Sequence, residues 1–384
     1  MKEQFKYQTM EDGMIKSYIW PLFNRVSHIL LILFFVACYL LADDDYISYH
    51  VAFGLSFGVV ILFRVIWGYL GPKHSKFKDF NFKITDLKEY LFSPFSKTKE
   101  YLGHNPASSY AIVAMIVLAI LSILSGLLYY GIEENHGIFS FLHSQFFKNM
   151  ELFEELHELF ANLLLGVIGI HIVGSLVDKF IKKGDAIDSM VDGYKKTSEE
   201  MNVRTNIFQK LLGFVFILAS IYALYYLIFT KDNIFIASAN VKQDYAQLHS
   251  DFSKECGSCH ITYPPFLLPK SSWTLMMSDL ENHFGDDASI DKEINLSILN
   301  FLNENSAENS TQKAAFKILK SLKENNSTIA ITKTQYWKKK HRKIDKDVFA
   351  NVKIKSKANC KACHTDIENG LIEKSLIKVP DIRG

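Results

Sequence analysis

Two short runs near the C-terminal end carry the clearest chemistry: Cys256-Gly257-Ser258-Cys259-His260 and Cys360-Lys361-Ala362-Cys363-His364. Each reads Cys-x-x-Cys-His, the attachment pattern of a c-type haem. Two thiols at this spacing add across the two haem vinyl groups, and the adjoining imidazole becomes an axial iron ligand. A redox dithiol, or a zinc ion shared by two Cys-x-x-Cys pairs, are the competing chemistries. Finding the motif twice, each time with the histidine, favours covalent haem. A sixth ligand must then come from His249, His283, His341, Met276 or Met277. Four further histidines, His28, His50, His157 and His171, lie in or at the ends of apolar runs. An ionisable side chain inside a membrane is costly, so each of these is a functional candidate. The fifth cysteine, Cys38, sits in the middle of such a run and reads as a small packing residue.

The elements that must position these residues follow from composition. The chain has 384 residues, 48% of them apolar, with a net charge of +2. That charge is too mild to point to nucleic acid. Residues 1–230 are rich in Phe, Leu and Ile, whereas 231–384 are polar and Lys-rich. Apolar stretches near 18–42, 46–70, 107–131, 155–177 and 209–230 each approach or exceed the about 20 residues needed to span a bilayer. No small-residue cleavage site follows the first, which argues against a signal peptide.

The 42–49 connection carries Asp43, Asp44 and Asp45, and the 132–154 connection Glu133, Glu134, Glu151 and Glu154 against Lys148. The 71–106 loop instead holds Lys73, Lys76, Lys78, Lys83, Lys88, Lys97 and Lys99, and the 178–208 loop Lys179, Lys182, Lys183, Lys195, Lys196 and Arg204. The positive-inside rule places the N-terminus and both Lys-rich loops in the cytoplasm. An odd number of spans then carries residues 231–384 to the other side, the periplasm of a bacterium.

This topology sorts the membrane histidines by depth. His28 and His171 fall toward the cytoplasmic side, His50 and His157 toward the periplasmic side. His157 and His171 are 14 residues apart, almost four turns, so they share a helix face about 21 Å apart along the axis. Two pairs at two depths suit two bis-histidine b haems. Taken singly, each histidine would more often be an interfacial residue bonded to backbone or water. Gly54, Gly58, Gly166, Gly169 and Gly174 suit close approach of a helix or a flat macrocycle. Arg25 and Arg64 suit either haem propionates or the topology alone.

Trp20-Pro21-x3-Arg25-x2-His28, His50-x3-Gly54, Arg64-x2-Trp67-Gly68, Gly71-Pro72-Lys73-His74-Ser75-Lys76-Phe77, Gly103-His104-Asn105-Pro106 and Glu155-Leu156-His157-Glu158 together resemble the prokaryotic cytochrome b561 pattern over about residues 15–200. The usual Trp after the first-span histidine is replaced by Ile29. The resemblance implies a four-helix core with two non-covalent b haems and electron exchange with quinone. Beyond it, Tyr263-Pro264-Pro265-x3-Pro269-x2-Ser272-Trp273, His283-Phe284-Gly285-Asp286-Asp287-Ala288-Ser289 and Thr334-x2-Trp337-x3-His341 resemble the dihaem cytochrome c family over about 245–384. That resemblance implies His283 and His341 as distal ligands and a small soluble periplasmic haem protein as acceptor. Sequence proximity pairs His283 with His260 and His341 with His364. Met276 and Met277 then read as packing residues, and His249 stays an unassigned competitor.

The expected fold class is all-α: a transmembrane bundle with a four-helix b-haem core (1–205), a fifth tether helix (206–232) and a mainly helical dihaem cytochrome c domain (233–384). The expected function is electron transfer at the bacterial inner membrane, from quinol through two b haems to two c haems and a soluble periplasmic acceptor. Its partners are quinone, that acceptor and membrane lipid, without nucleic acid; as an enzyme it would be a quinol:cytochrome-type oxidoreductase. The alternatives are a terminal haem enzyme or redox sensor with an open iron, and a cytochrome b subunit of a hydrogenase-type complex.

Overall fold

The structure is a computed structural model. It describes residues 14–43, 46–92, 101–198, 200–230, 232–322 and 328–380. Asp44, Asp45, Lys97 and Lys99, counted above for topology, lie outside the described residues. In chain order the elements are β1 (Ile15–Tyr18), α1 (Leu22–Leu40), α2 (Ile47–Leu70), α3 (Ile84–Phe92), α4 (Pro106–Ile132), α5 (Gln145–Met150), α6 (Leu152–Phe180), α7 (Ala186–Asp192), β2 (Tyr194–Thr197) and α8 (Ile207–Phe229). Then follow α9 (Tyr245–Leu248), α10 (Ser250–Cys256), α11 (Lys270–Met277), α12 (Lys292–Glu304), α13 (Lys313–Ser321), α14 (Gln335–His341) and α15 (Lys346–Ala350), joined by 3-10 turns. The chain divides into two compact units, Met1–Tyr129 with Leu152–Ala237, and Tyr130–Glu151 with Ser238–Gly384.

In the first unit, α1, α2, α4, α6 and α8 are the helices long and apolar enough to cross a membrane. With them the chain is a multi-pass membrane protein. Their outward faces carry exposed Ile29, Leu62, Leu124, Ile170 and Tyr222, as a lipid-facing surface requires. Inside, Phe34, Phe57, Val60, Ile61, Ile116, Ala119 and Leu164 meet in one core. Buried hydroxyls return their protons to their own helices: Ser56 donates to the Ala52 carbonyl at 2.8 Å and Ser125 to that of Leu121 at 2.8 Å. In hydrocarbon no water would otherwise satisfy them.

The helix ends account for several of the motif residues. Asn105 accepts from the Ser108 amide at 2.7 Å, capping α4, whose first residue is Pro106; proline at that position loses no helical hydrogen bond. α8 opens with a capping box between Asn206 and Gln209, and Gln209 also donates to the Leu70 carbonyl at the end of α2, at 2.9 Å. A Cβ on Gly68 would lie 2.1 Å from the Phe77 ring, so only glycine lets that ring fold back on α2. The Trp67 indole donates to Asn24 at 2.8 Å, and Asn24 to Ser75 at 2.9 Å.

One element has no counterpart in the expected all-helical order. β1 pairs antiparallel with β2, with Ile15 opposite Thr197 and Tyr18 opposite Tyr194. Gly193, at φ +91°, ends α7 and starts β2. Its carbonyl accepts from the Ile19 and Trp20 amides, which ties the entry to α1 to the exit from α6 and α7.

In the second unit, two apolar clusters hold the short helices. One gathers Tyr245, Phe252, Leu268, Trp273, Met277, Ile298 and Leu302. The other gathers Phe266, Leu267, Ala307, Ala314, Ala315, Ile318 and Ile367. The α4–α6 connection belongs to this unit: Glu134 pairs with Lys313, Glu151 with Lys317 at 3.0 Å and with Lys320, and His136 with Glu373 at 3.1 Å.

Candidate functional site

In the membrane unit, α1 brings His28 against His171 of α6, with ring centroids 6.4 Å apart. Nearer the other end of the bundle, His50 of α2 faces His157 of α6 at 5.9 Å. In the C-terminal unit His260 faces His283 at 6.2 Å, and His341 faces His364 at 6.0 Å. Two imidazoles binding one iron from opposite sides, each nitrogen about 2.0 Å from the metal as in other imidazole–metal bonds, have centroids about 6.3 Å apart. All four pairs stand at that separation. Direct packing of two rings needs no such uniform gap.

Four of the rings are also oriented from behind. The Nδ1 atoms of His50, His157, His260 and His341 lie 2.9, 2.9, 2.7 and 2.9 Å from the carbonyls of Cys38, Ser122, Ile261 and Trp337. A carbonyl only accepts, so Nδ1 carries the proton and Nε2 is left as the metal-binding nitrogen, the arrangement that fixes metal-ligating histidines elsewhere. On His364, Nδ1 is buried without a partner. Burial and the neighbouring His341 push the His364 pKa down to about 4, and burial lowers His341 and His283 as well. They therefore stay neutral, which is the ligating form.

α1 and α2 pack closely along each other, as do α2 and α8, while the backbone of α6 approaches α1 and α2 only sparsely. Gly166, Gly169 and Gly174 of α6 are exposed, and a Cβ there would meet nothing within 4 Å. Gly166 and Gly174 lie one turn either side of the outward-facing Ile170, so they belong to the lipid-facing side of the helix rather than to the histidine face. Gly58 instead faces Ile123 and Gly54 the Cys38 thiol. Of the two candidate propionate partners, Arg25 donates to the Val191 carbonyl at 2.5 Å, and Arg64 lies over the Phe77 and Phe80 rings.

In the second unit each cysteine pair adjoins its own histidine pair. Burial pushes the Cys256 and Cys360 thiols up to about 11. As thiols they are in the form that adds across the haem vinyl groups. Among the described residues no group of three or more His, Cys, Asp or Glu side chains converges on one metal position.

His249 is engaged elsewhere. Its Nδ1 accepts from the Phe252 amide at 3.0 Å and caps α10, while Nε2 lies 3.0 Å from the Ser297 hydroxyl. Met277 is buried in the first apolar cluster, with Met276 packed against it. Two residues near the sites had no role assigned from sequence. Trp337, one turn before His341, stacks on that ring at 4.3 Å. Tyr263 lies 5.0 Å from the His260 ring and donates to the Ala358 carbonyl, two residues before the second motif, at 2.6 Å. The i−4 spacing of Trp337 was a usable signal; the long-range bond of Tyr263 left none.

Comparison with known proteins agrees with this division. Residues 19–193 match the family model for prokaryotic cytochrome b561, and residues 252–372 that for dihaem cytochrome c. Among solved structures, a diheme cytochrome c from Rhodobacter sphaeroides is 37% identical, with 32% of this chain and 95% of that one covered, at a TM-score of 0.29. A diheme cytochrome c from Shewanella baltica is 30% identical, covering 34% and 92% respectively, at a TM-score of 0.28. No curated protein matches the chain. The membrane-spanning part of the chain matches the prokaryotic cytochrome b561 model, and the part beyond it belongs to the dihaem cytochrome c family, which together make the chain a haem protein of membrane electron transfer.

Proposed function

We propose that the chain holds two b haems and two c haems and connects the quinol pool to a soluble acceptor outside the cytoplasm. The observation that carries this is the common 5.9–6.4 Å separation of four histidine pairs. His28 with His171, and His50 with His157, would hold the b haems. His260 with His283, and His364 with His341, would hold the c haems, which Cys256 and Cys259, and Cys360 and Cys363, would attach by thioether bonds. Bound at these positions, haem supplies reversible one-electron transfer, from quinol through the b haems to the c haems and on to a small periplasmic haem protein.

The chain's own part is to hold and orient. The carbonyls of Cys38, Ser122, Ile261 and Trp337 keep one nitrogen of each ring directed at the metal. With two histidines at each position, the chain would leave no site for an exogenous ligand on a bound haem, which suits electron exchange rather than substrate chemistry. In a bacterium the Lys-rich loops face the cytoplasm and the C-terminal unit the periplasm of the inner membrane. A linear domain division, 1–205 for the b561-like core, 206–232 for the tether and 233–384 for the dihaem part, goes with this topology; residues 130–151 are the exception, a connection of the core that folds with the dihaem part.

Pyridine haemochrome analysis of the purified full-length chain tests the stoichiometry. Equal haem b and haem c is the expected result. Haem c alone would overturn the membrane half of the proposal.

A further inference from the structure

The two histidine pairs of the C-terminal unit stand in surroundings of opposite charge. Residues 279–293, around His283, hold six Asp and Glu against Lys292 alone, all with exposed side chains. Residues 333–361, around His341, hold eleven Lys and Arg against Asp345 and Asp347. All eleven are exposed, and of these Lys361 is paired with Glu368. Lys338 and Lys339 occupy the last turn of α14, the turn that His341 itself closes. Arg342, Lys346, Lys353 and Lys355 continue the same sign through α15 to the second Cys-x-x-Cys-His motif. A net charge of only +2 over the whole chain conceals this local polarity.

We infer that the basic surface around His341 and His364 is the docking face for an acidic redox protein, which exchanges electrons at that haem rather than at the His260–His283 haem. The inference rests on the proposed electron transfer to a soluble protein and specifies the charge of that partner and the end at which it docks. Exposed charge of one sign beside a redox centre raises encounter rates with an oppositely charged partner by about 10–10³-fold. Charge of the opposite sign at the other centre turns that partner away, so the pattern selects orientation as well as affinity. An anionic lipid surface would also be drawn to lysines, but it gives no reason for the acidic segment around the companion pair.

The test uses the full-length chain in detergent, with two soluble electron-transfer probes, an acidic flavodoxin and a basic cytochrome c. The second-order rate of electron exchange is measured by stopped flow against ionic strength. The acidic probe is expected to react fastest at low salt and to slow steeply as salt screens the charges. The variant Lys338→Glu/Lys339→Glu/Lys346→Glu should lose about tenfold or more of that rate. The milder Lys338→Gln/Lys339→Gln/Lys346→Gln should lose less, in the same direction. Glu281→Lys/Asp286→Lys should slow the basic probe and leave the acidic one within about twofold of the unsubstituted chain.

A salt-independent rate with the acidic probe, or one unchanged in both lysine variants, overturns the docking face. So does a lysine variant that loses binding to phosphatidylserine vesicles while keeping its rate, since the patch would then be a lipid-binding surface. Haem content is read first. A chain short of two c haems contradicts the electron-transfer reading itself, whereas full content with unchanged rates removes only the docking face.

Discussion

At the scale of single residues, four of the eight proposed ligands could be read from sequence because their positions are periodic or motif-bound: His157 and His171 are 14 residues apart on one helix, and His260 and His364 directly follow Cys-x-x-Cys. His28 and His50 were sorted by topology, and His283 and His341 rested on the family resemblance alone. The groups that orient them could not be read from sequence. Any residue supplies a carbonyl, so nothing in the identities of Ser122 or Ile261 announces that His157 and His260 lean on them. His249 shows the converse, a histidine whose type suggested ligation and whose surroundings give it a capping role. Replacing it with Ala is expected to cost about 1 kcal/mol through the lost N-cap, read as a lower denaturation midpoint, with both c haems retained; a preparation lacking one c haem would contradict this. His341→Ala and His283→Ala instead remove the proposed distal ligands. Each is expected to open one c haem and create carbon monoxide binding at about one equivalent in the reduced protein, visible as a new Soret shift. If neither variant binds carbon monoxide, the distal assignments fail.

At the scale of elements, the five spans were readable because a run of about 20 consecutive apolar residues matches the thickness of a bilayer and exceeds what a buried core helix needs. The β1–β2 pair was not, since two four-residue strands about 180 positions apart leave no local pattern. Nor was the membership of residues 130–151 in the C-terminal unit. Glu134 and Glu151, whose charges argued for topology, also pair with the lysines of α13. The same connection carries His136, which meets Glu373, itself hydrogen-bonded by Ser238 and Asn240. Burial would raise the Glu373 carboxyl, but these hydrogen bonds, that of His136 foremost, hold it down at about 2. Burial would lower His136, but Glu373 and the Glu134 carbonyl raise it above its ordinary 6.5. The depressed carboxyl stabilises above its ordinary 4.5 and loses that contribution as pH falls toward 2. The raised imidazole stabilises below 6.5 and loses its contribution as pH rises through its folded value. The attachment is therefore firmest between about pH 4.5 and 6.5. Hydrogen exchange of residues 130–151 is expected to quicken above that window, and Glu373→Gln to flatten the rise. An unchanged pH profile in that variant would exclude the pair as its source.

At the scale of the whole molecule, a b561-type membrane core and a dihaem c segment in one chain make a continuous electron route the economical account. His50→Ala or His157→Ala is expected to remove one b haem and block quinol-driven reduction of the c haems, while dithionite still reduces them. Full quinol-driven reduction in both variants would show a route that bypasses this pair. A reporter active only in the periplasm, fused at the C-terminus, is expected to work; activity of a cytoplasmic reporter alone would contradict both the topology and the covalent haems. The central claim is that eight histidines fill the axial positions of four irons, and carbon monoxide added to the dithionite-reduced, unsubstituted protein tests it most directly. A spectrum left nearly unchanged is the predicted result. Stoichiometric carbon monoxide binding at one haem would contradict it and make an open-site enzyme or sensor the better reading.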